Sequence, residues 1–331
     1  MWRHGDRTPI TLLPNDTINN EKSWEIGLGE LTVTGIWEAY RLGKLLRQRY
    51  DGFLSGNYKT SEIYVRSTDI NRTLMTANGV LQGLYPQRYS DDKSSTVWHP
   101  VPLLRQSLNC PKANDELRKV YKMKEIEDVA KMNEEFLKYL GKNMGIKGKY
   151  DLANIWYVYD PLEVITHHRD RHQFPKWVNG TVWHKIEELY NFLGQYQYQT
   201  DLLKRLRAGE LWEEILIRLK NLKEQGLSQK QKMYAYSAHD ETVAALLNLL
   251  GMQLTTFPPY ASVVLLEMHQ INNEFILQLY YKNVTDSNQI YQFPIGYCDD
   301  SCTVEKLRAA TKKFISNNWA VECNNSVRIK K

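Results

Sequence analysis

No run in this 331-residue chain is apolar and long enough to span a bilayer. Internal repeats and low-complexity tracts are also missing, which excludes solenoids and disordered arrays. Cysteine is scarce: Cys110, Cys298, Cys302 and Cys323 are the full set, and four cysteines allow three pairings. No histidine cluster accompanies the close pair Cys298 and Cys302, so a metal knuckle is not expected there. Net charge is only +5, and no basic stripe interleaved with stacking aromatics is present, which argues against a nucleic-acid partner. Only Met1 and Trp2 precede Arg3, so no signal for secretion is read from this end. A soluble globular chain with a large core is left, of a length that commonly splits into two domains.

The densest chemistry lies in residues 3–9, Arg-His-Gly-Asp-Arg-Thr-Pro. One imidazole, His4, sits between two guanidiniums, Arg3 and Arg7. Guanidinium forks bind phosphate oxygens bidentately and keep their charge at any working pH. A histidine held among them can attack phosphorus. Gly5 is expected to allow close approach of the backbone to a ligand. Two further polar clusters follow short β-prone runs. Residues 63–66 lead into Ser67, Thr68 and Asp69, and residues 233–236 lead into Ser237, Ala238, His239 and Asp240. Beyond the second, Glu241 to Leu250 reads as a helix stopped by Gly251. Strand ends that open into helix starts are where α/β sheets bind ligands, anions above all.

Together these runs resemble the histidine acid phosphatase family, closest to its secreted and lysosomal members. The similarity extends to Asp160-Pro161-Leu162, to residues 258–262 and to residues 279–283, and so covers nearly the whole chain. The resemblance implies metal-independent hydrolysis of small phosphate monoesters, and of phosphoproteins more widely, with no cofactor. It makes His4 the nucleophile. Arg3, Arg7, Arg66 and His239 would bind the phosphate, and Asp240 would protonate the leaving alcohol. It implies Cys110–Cys323 and Cys298–Cys302 bridges, with Val164 and Val263 where relatives carry a third. Bridges imply an oxidising compartment, here secreted or lysosomal. A homodimer is implied as well. So is a short central strand before the first motif; with little of it present, an incomplete or alternative start is the expectation.

The fold expected is α/β: an open sheet domain of the phosphoglycerate-mutase type with an inserted helical cap. Residues 1–82 and 230–331 would form the catalytic domain and 83–229 the cap. Thr32 should cap a helix with Ile36, Ala39, Tyr40, Gly43, Leu46 and Tyr50 on one face. Strands are expected at Val263–Met268 and Phe275–Tyr281, and helices at Asp115–Gly141, Trp183–Gln195 and Thr200–Gln225. Glycosylation triplets occur at Asn15, Asn71, Asn179, Asn283 and Asn324. Asn71, just beyond Arg66, is expected to be unused because a glycan there would crowd the pocket. His167, His168 and His172 read as a solvated cap loop rather than a metal site, and the basic positions of 202–223 as a solvated helix face. Two rival functions stand beside the phosphatase: a phytase-like inositol-phosphate phosphatase, and a secreted binding protein that keeps the fold without turnover.

Overall fold

The computed structural model describes residues 1–86, 101–102, 110–226, 230–298 and 301–324. Seven strands form one mixed sheet in the order β3-β2-β4-β1-β5-β6-β7. They are β1 (Trp2–Arg3), β2 (Ile63–Ser67), β3 (Val101–Pro102), β4 (Met233–Ala238), β5 (Val263–Ile271), β6 (Glu274–Lys282) and β7 (Tyr291–Phe293). The first four run parallel, whereas β5, β6 and β7 add an antiparallel flank. Between β4 and β5, the two residues of β1 occupy the centre.

Helices cover both faces of the sheet. On one lie α1 (Val33–Arg49) and α2 (Asn71–Leu84); on the other, α9 (Asp240–Leu249) and α10 (Val304–Thr311). The period-2 rule assigns strand residues to the two cores. Ala235, Val263 and Leu265 pack toward α1 and α2, while Tyr236, Ala238 and Val264 pack toward α9. Thr32 caps α1 as expected, its hydroxyl accepting from the Gly35 amide at 3.1 Å. The buried stripe is rotated from the expected one: Glu38, Ala39, Leu42, Gly43 and Leu46 face inward, while Ile36 and Trp37 face solvent. The rotation follows from glycine. α1 and α2 cross so closely that a methyl on Gly43 would overlap the Val80 carbonyl, and one on Gly83 the Tyr40 carbonyl.

A separate helical layer holds α3 (Pro111–Val120), α4 (Lys124–Met132), α5 (Glu134–Asn143), α6 (Trp156–His167) and α7 (Gly180–Gly194). The helix expected over Asp115–Gly141 is therefore three, broken at residues 121–123 and 133. The long α8 (Asp201–Gln225) serves both layers. Leu203 and Leu206 join the helical core, whereas Trp212, Leu216 and Leu219 join the α9 side of the sheet. Part of its basic face is solvated as expected, Lys220 included, whereas Arg205 binds Glu322 and Arg218 lies over Tyr64 and Tyr234.

Both bridges implied by the resemblance are present. Cys110–Cys323 joins the start of α3 to α11 (Trp319–Asn324) across 213 positions. In the chain-entropy account so long a loop contributes on the order of 5 kcal/mol. Asn15 and Asn179 are exposed, and the side chain of Asn324 lies outside the described residues.

The helix crossing yields a test. Alanine is a better helix former than glycine by about 1 kcal/mol. At Gly83 its methyl meets backbone of α1, which can yield only by separating the helices; such overpacking costs about 1–3 kcal/mol. Gly83→Ala is therefore expected to lower unfolding free energy by about 1–2 kcal/mol in denaturant titration. A stabilised variant would show that the crossing is looser than described.

Candidate active site

Three parallel strands end at one edge, and each delivers part of the site. His4 follows β1, Thr68 follows β2, and His239 with Asp240 follows β4 at the start of α9. The His4 amide donates to the Ala238 carbonyl at 2.9 Å, and the Thr68 amide to the Ser237 carbonyl at 3.1 Å, so the ladder itself sets the relative heights. The imidazoles of His4 and His239 meet edge to face, with centroids 5.4 Å apart.

His4 Nδ1 lies 2.8 Å from the Gly5 carbonyl oxygen. A carbonyl only accepts, so Nδ1 carries the proton and Nε2 keeps its lone pair. Burial, then Arg3, His239 and Arg72, hold the imidazole well below its ordinary pKa, which keeps that lone pair free in acid. Gly5 is required for a different reason from the one expected. A methyl there would overlap the Gly35 carbonyl of α1, so the missing side chain lets the loop sit on a helix rather than on a ligand.

The guanidiniums are fixed by partners far away in sequence. Arg3 donates to the Pro258 carbonyl at 2.7 Å, lies 4.0 Å above the Tyr260 ring, and pairs with Asp240 at 3.1 Å. Arg7 pairs with Asp160 of α6 at 2.5 Å, and the other Asp160 oxygen accepts from the Ile10 amide at 3.0 Å. Burial would raise the Asp240 carboxyl; Arg3 and Arg7 overcome it and hold the group below the usual aspartate range. With 24% of its side chain exposed, Asp240 opens onto the pocket.

Arg66 does not join this group. On β2, Ile63 and Val65 face α1 and α2, and alternation turns Arg66 the other way, where it pairs with Glu214 of α8. Arg72, in the first turn of α2, stands in its stead. It donates to the Gly29 carbonyl at 3.1 Å and approaches His239 Nδ1 at 3.4 Å. An arginine can only donate, so His239 Nδ1 accepts and its Nε2 proton goes to the Thr68 hydroxyl, 3.0 Å away. Burial, then Arg7, lower Arg72 to about 10.

A cleft of about 210 Å³ opens beyond Arg3, Arg7 and Asp240. Its outer wall is aromatic and acidic: Tyr159, Tyr190 and Phe257, with Glu163 and Glu187. Tyr159 and Tyr190 stack at 3.7 Å, and Tyr190 meets Phe257 at 5.0 Å. Glu163 is shared by Tyr260 and His167, each at 3.1 Å. Asn283 also lines the cleft, so it is this glycosylation triplet that opens on the site. Of the three histidines in 167–172, His167 is exposed at the end of α6, but the other two are not solvated. His168 and His172 are largely enclosed, His172 lies 3.7 Å from Trp24 in a stack, and His168 bonds Asp6. Among the described residues no group of three or more His, Cys, Asp or Glu is arranged to hold a metal.

A histidine whose Nε2 keeps its lone pair, close to guanidiniums at the edge of an α/β sheet, suits phosphoryl transfer. The chain belongs to the histidine phosphatase superfamily (branch 2), whose pattern matches residues 1–282. It is 36% identical to mouse prostatic acid phosphatase over 98% of this chain and 87% of that protein. Identity to human lysosomal acid phosphatase is 32%, over 98% and 78% of the two chains. Among solved structures, Hafnia alvei phytase in complex with myo-inositol hexakis sulphate superposes with a TM-score of 0.71 at 14% identity, over 97% of this chain and 96% of the other.

The two arginines give opposite expectations. A charged hydrogen bond lost from a phosphate site costs about 1.5–3 kcal/mol. Arg72→Ala should therefore weaken inhibition by inorganic phosphate about 10- to 150-fold, whereas Arg66→Ala should leave it within about threefold. The inhibition constants of the two variants decide the assignment, and the reverse ranking would restore Arg66 to the site.

Proposed function

We propose that the protein is an acid phosphatase that hydrolyses phosphate monoesters through a phosphohistidine on His4. The observation that carries this reading is the His4 ring, pinned by Nδ1 to the Gly5 carbonyl with Nε2 free among Arg3, Arg7 and Arg72. Nε2 attacks phosphorus in line, the P–O bond to the alcohol breaks, and Asp240 supplies the proton to the departing oxygen. Water then attacks phosphohistidine, Asp240 takes its proton, and inorganic phosphate leaves. The arginines neutralise the equatorial oxygens throughout, which is the main catalytic demand in phosphoryl transfer. His239 bounds the same space.

The proton needs a source. Arg3 and Arg7 hold Asp240 ionised in the free enzyme at moderately acid pH. A bound phosphate places negative charge among those guanidiniums and cancels the field that depresses the carboxyl. The substrate monoanion brings the proton with it, since the second ionisation of a phosphate monoester lies near pH 6.

The aromatic and acidic outer wall favours small monoesters over inositol polyphosphates, whose remaining phosphates would face Glu163 and Glu187. The same motif residues present in full argue against a binding protein without turnover. Two disulfides support a secreted or lysosomal location. Phosphoprotein substrates and a homodimer belong to this reading as extensions.

Asp240→Asn tests the acid role. Asparagine retains size and a capping oxygen but carries no transferable proton. Turnover of an alkyl phosphate should fall on the order of a hundredfold. The fall should be smaller for p-nitrophenyl phosphate, whose phenolate leaves unaided. Equal, small losses on both esters would reduce Asp240 to a counter-ion of Arg3.

The pH profile follows from the same charges. On the alkaline side kcat/KM should decline above about pH 6 as the substrate monoanion disappears. On the acid side the decline should begin below the usual aspartate range, because His4 and Asp240 are both held low. An alkaline limb that tracks an enzyme group instead, unchanged between esters of different second pKa, would refute the substrate-borne proton.

A further inference from the structure

Asp6 lies inside the first motif but touches none of the phosphate-binding groups. It is 0% exposed. Its Oδ2 accepts from the Thr32 hydroxyl and from His168 Nε2, the latter at 2.7 Å. Its amide donates to Glu38 Oε2 at 2.7 Å. One residue earlier, the Gly5 amide donates to the Thr76 hydroxyl at 3.1 Å. The peptide that orients His4 is thus pegged from α1 by Thr32 and Glu38, from α2 by Thr76, and from the end of α6 by His168. Burial raises Glu38 to about 7, against the hydrogen bond from the Asp6 amide, which lowers it. At acid pH Glu38 is therefore neutral and offers no repulsion to the Asp6 carboxylate.

His168 is the peg supplied by the helical layer. It is the cap of α6, five residues beyond Glu163 and eight beyond Asp160. Its side chain is 13% exposed and meets the Trp24 ring edge to face at 5.7 Å. Trp24 is in turn covered by His172, whose Nδ1 lies 3.1 Å from the Asn19 side-chain oxygen. That packing fixes the ring, and the ring fixes Asp6. Because a carboxylate only accepts, Nε2 must carry a proton.

We propose that His168 is a positioning residue for the reaction: through Asp6 it holds the Gly5–Asp6 peptide at the angle that aims His4 Nε2 at phosphorus. The inference rests on the phosphohistidine reading and deepens it. Without the His168 bond, a buried carboxylate loses a donor and the 4–6 peptide can rotate. The Gly5 carbonyl that orders the His4 ring then moves with it. Arg3, Arg7 and Arg72 have their own partners, so phosphate binding persists while alignment is lost. Misalignment of the reacting atoms acts on kcat rather than on affinity.

Two substitutions separate this role from simple packing. Glutamine places its amide N–H near the reach of Nε2, whereas asparagine places it near the reach of Nδ1. Both discard the aromatic contact with Trp24. His168→Gln should keep kcat for p-nitrophenyl phosphate within about threefold of the wild type. His168→Asn should lower kcat tenfold or more, with the inhibition constant of inorganic phosphate within about threefold, and should trap correspondingly less phosphohistidine on rapid quench. His172→Phe, which keeps the stack on Trp24 and touches nothing in the loop, should match the wild type. Equal kcat for the glutamine and asparagine variants, or failure of both to fold, would make His168 a packing residue and overturn the proposal. Absence of trapped phosphohistidine in the wild type itself would instead strike the catalytic reading on which it rests.

Discussion

Crowding of like charge governs this molecule. Arg3, Arg7 and Arg72 converge around two imidazoles at a buried sheet edge, and buried cations are tolerated only when paired or satisfied. The pairing carboxylates come from elsewhere in the chain: Asp160 from α6, Asp240 from α9. Arg72 is held by a backbone carbonyl in place of a carboxylate, and Arg7 presses its pKa down. Arg72 therefore keeps a charge that no carboxylate pairs among the described residues. In the proposed mechanism a phosphate entering beside these guanidiniums relieves repulsion that the fold sustains.

Sequence alone exposed the parts of this arrangement that are local. The first motif, the strand-to-helix junction at His239 and Asp240, and the Thr32 cap are each set by neighbours a few residues away. The α/β class was equally legible from alternating strand and helix signals. Arg66 and Arg72 show where local reading failed. Arg66 occupies the end of a strand, the position where α/β enzymes place ligands, but parity decides which face a strand residue meets. Ile63 and Val65 already commit the inward positions, so Arg66 had to turn toward α8. Arg72 sits in the first helical turn, where side chains point back toward the N-terminus and hence toward the sheet edge. That rule was available from Asn71-Arg72-Thr73, and it outranks proximity in sequence.

The helical layer was the least legible part. Its composition is charged and its histidines cluster, which resembles solvated loop. Burial of His168 and His172 depends on Trp24, about 150 positions away, a contact beyond any local pattern. The same holds for the wall formed by Tyr159, Tyr190 and Phe257, which unites two helices and a loop. α6 shows why this layer matters. Asp160, Glu163 and His168 recur at near-helical spacing, and each grips a different member of the site: Arg7, Tyr260 and Asp6. A single rigid element thereby ties the arginines, the ring under Arg3 and the nucleophile loop to one another.

In the proposed mechanism Asp240 serves as counter-ion and as acid, and those duties conflict. Pairing with Arg3 stabilises the ionised form, yet proton donation needs the neutral one. An isolated buried carboxyl would resolve this by a raised pKa, as burial alone would do here. The arginines reverse that sign, so the free site is poised against protonation. In that mechanism an anion that draws on the same guanidiniums releases the carboxyl to accept a proton. On that proposal acid function is conditional on occupancy, with Asp240 competent only while phosphate is bound. The electrostatic design thus links binding to chemistry through charge alone, and it explains why the acid is placed against Arg3 rather than in an apolar recess.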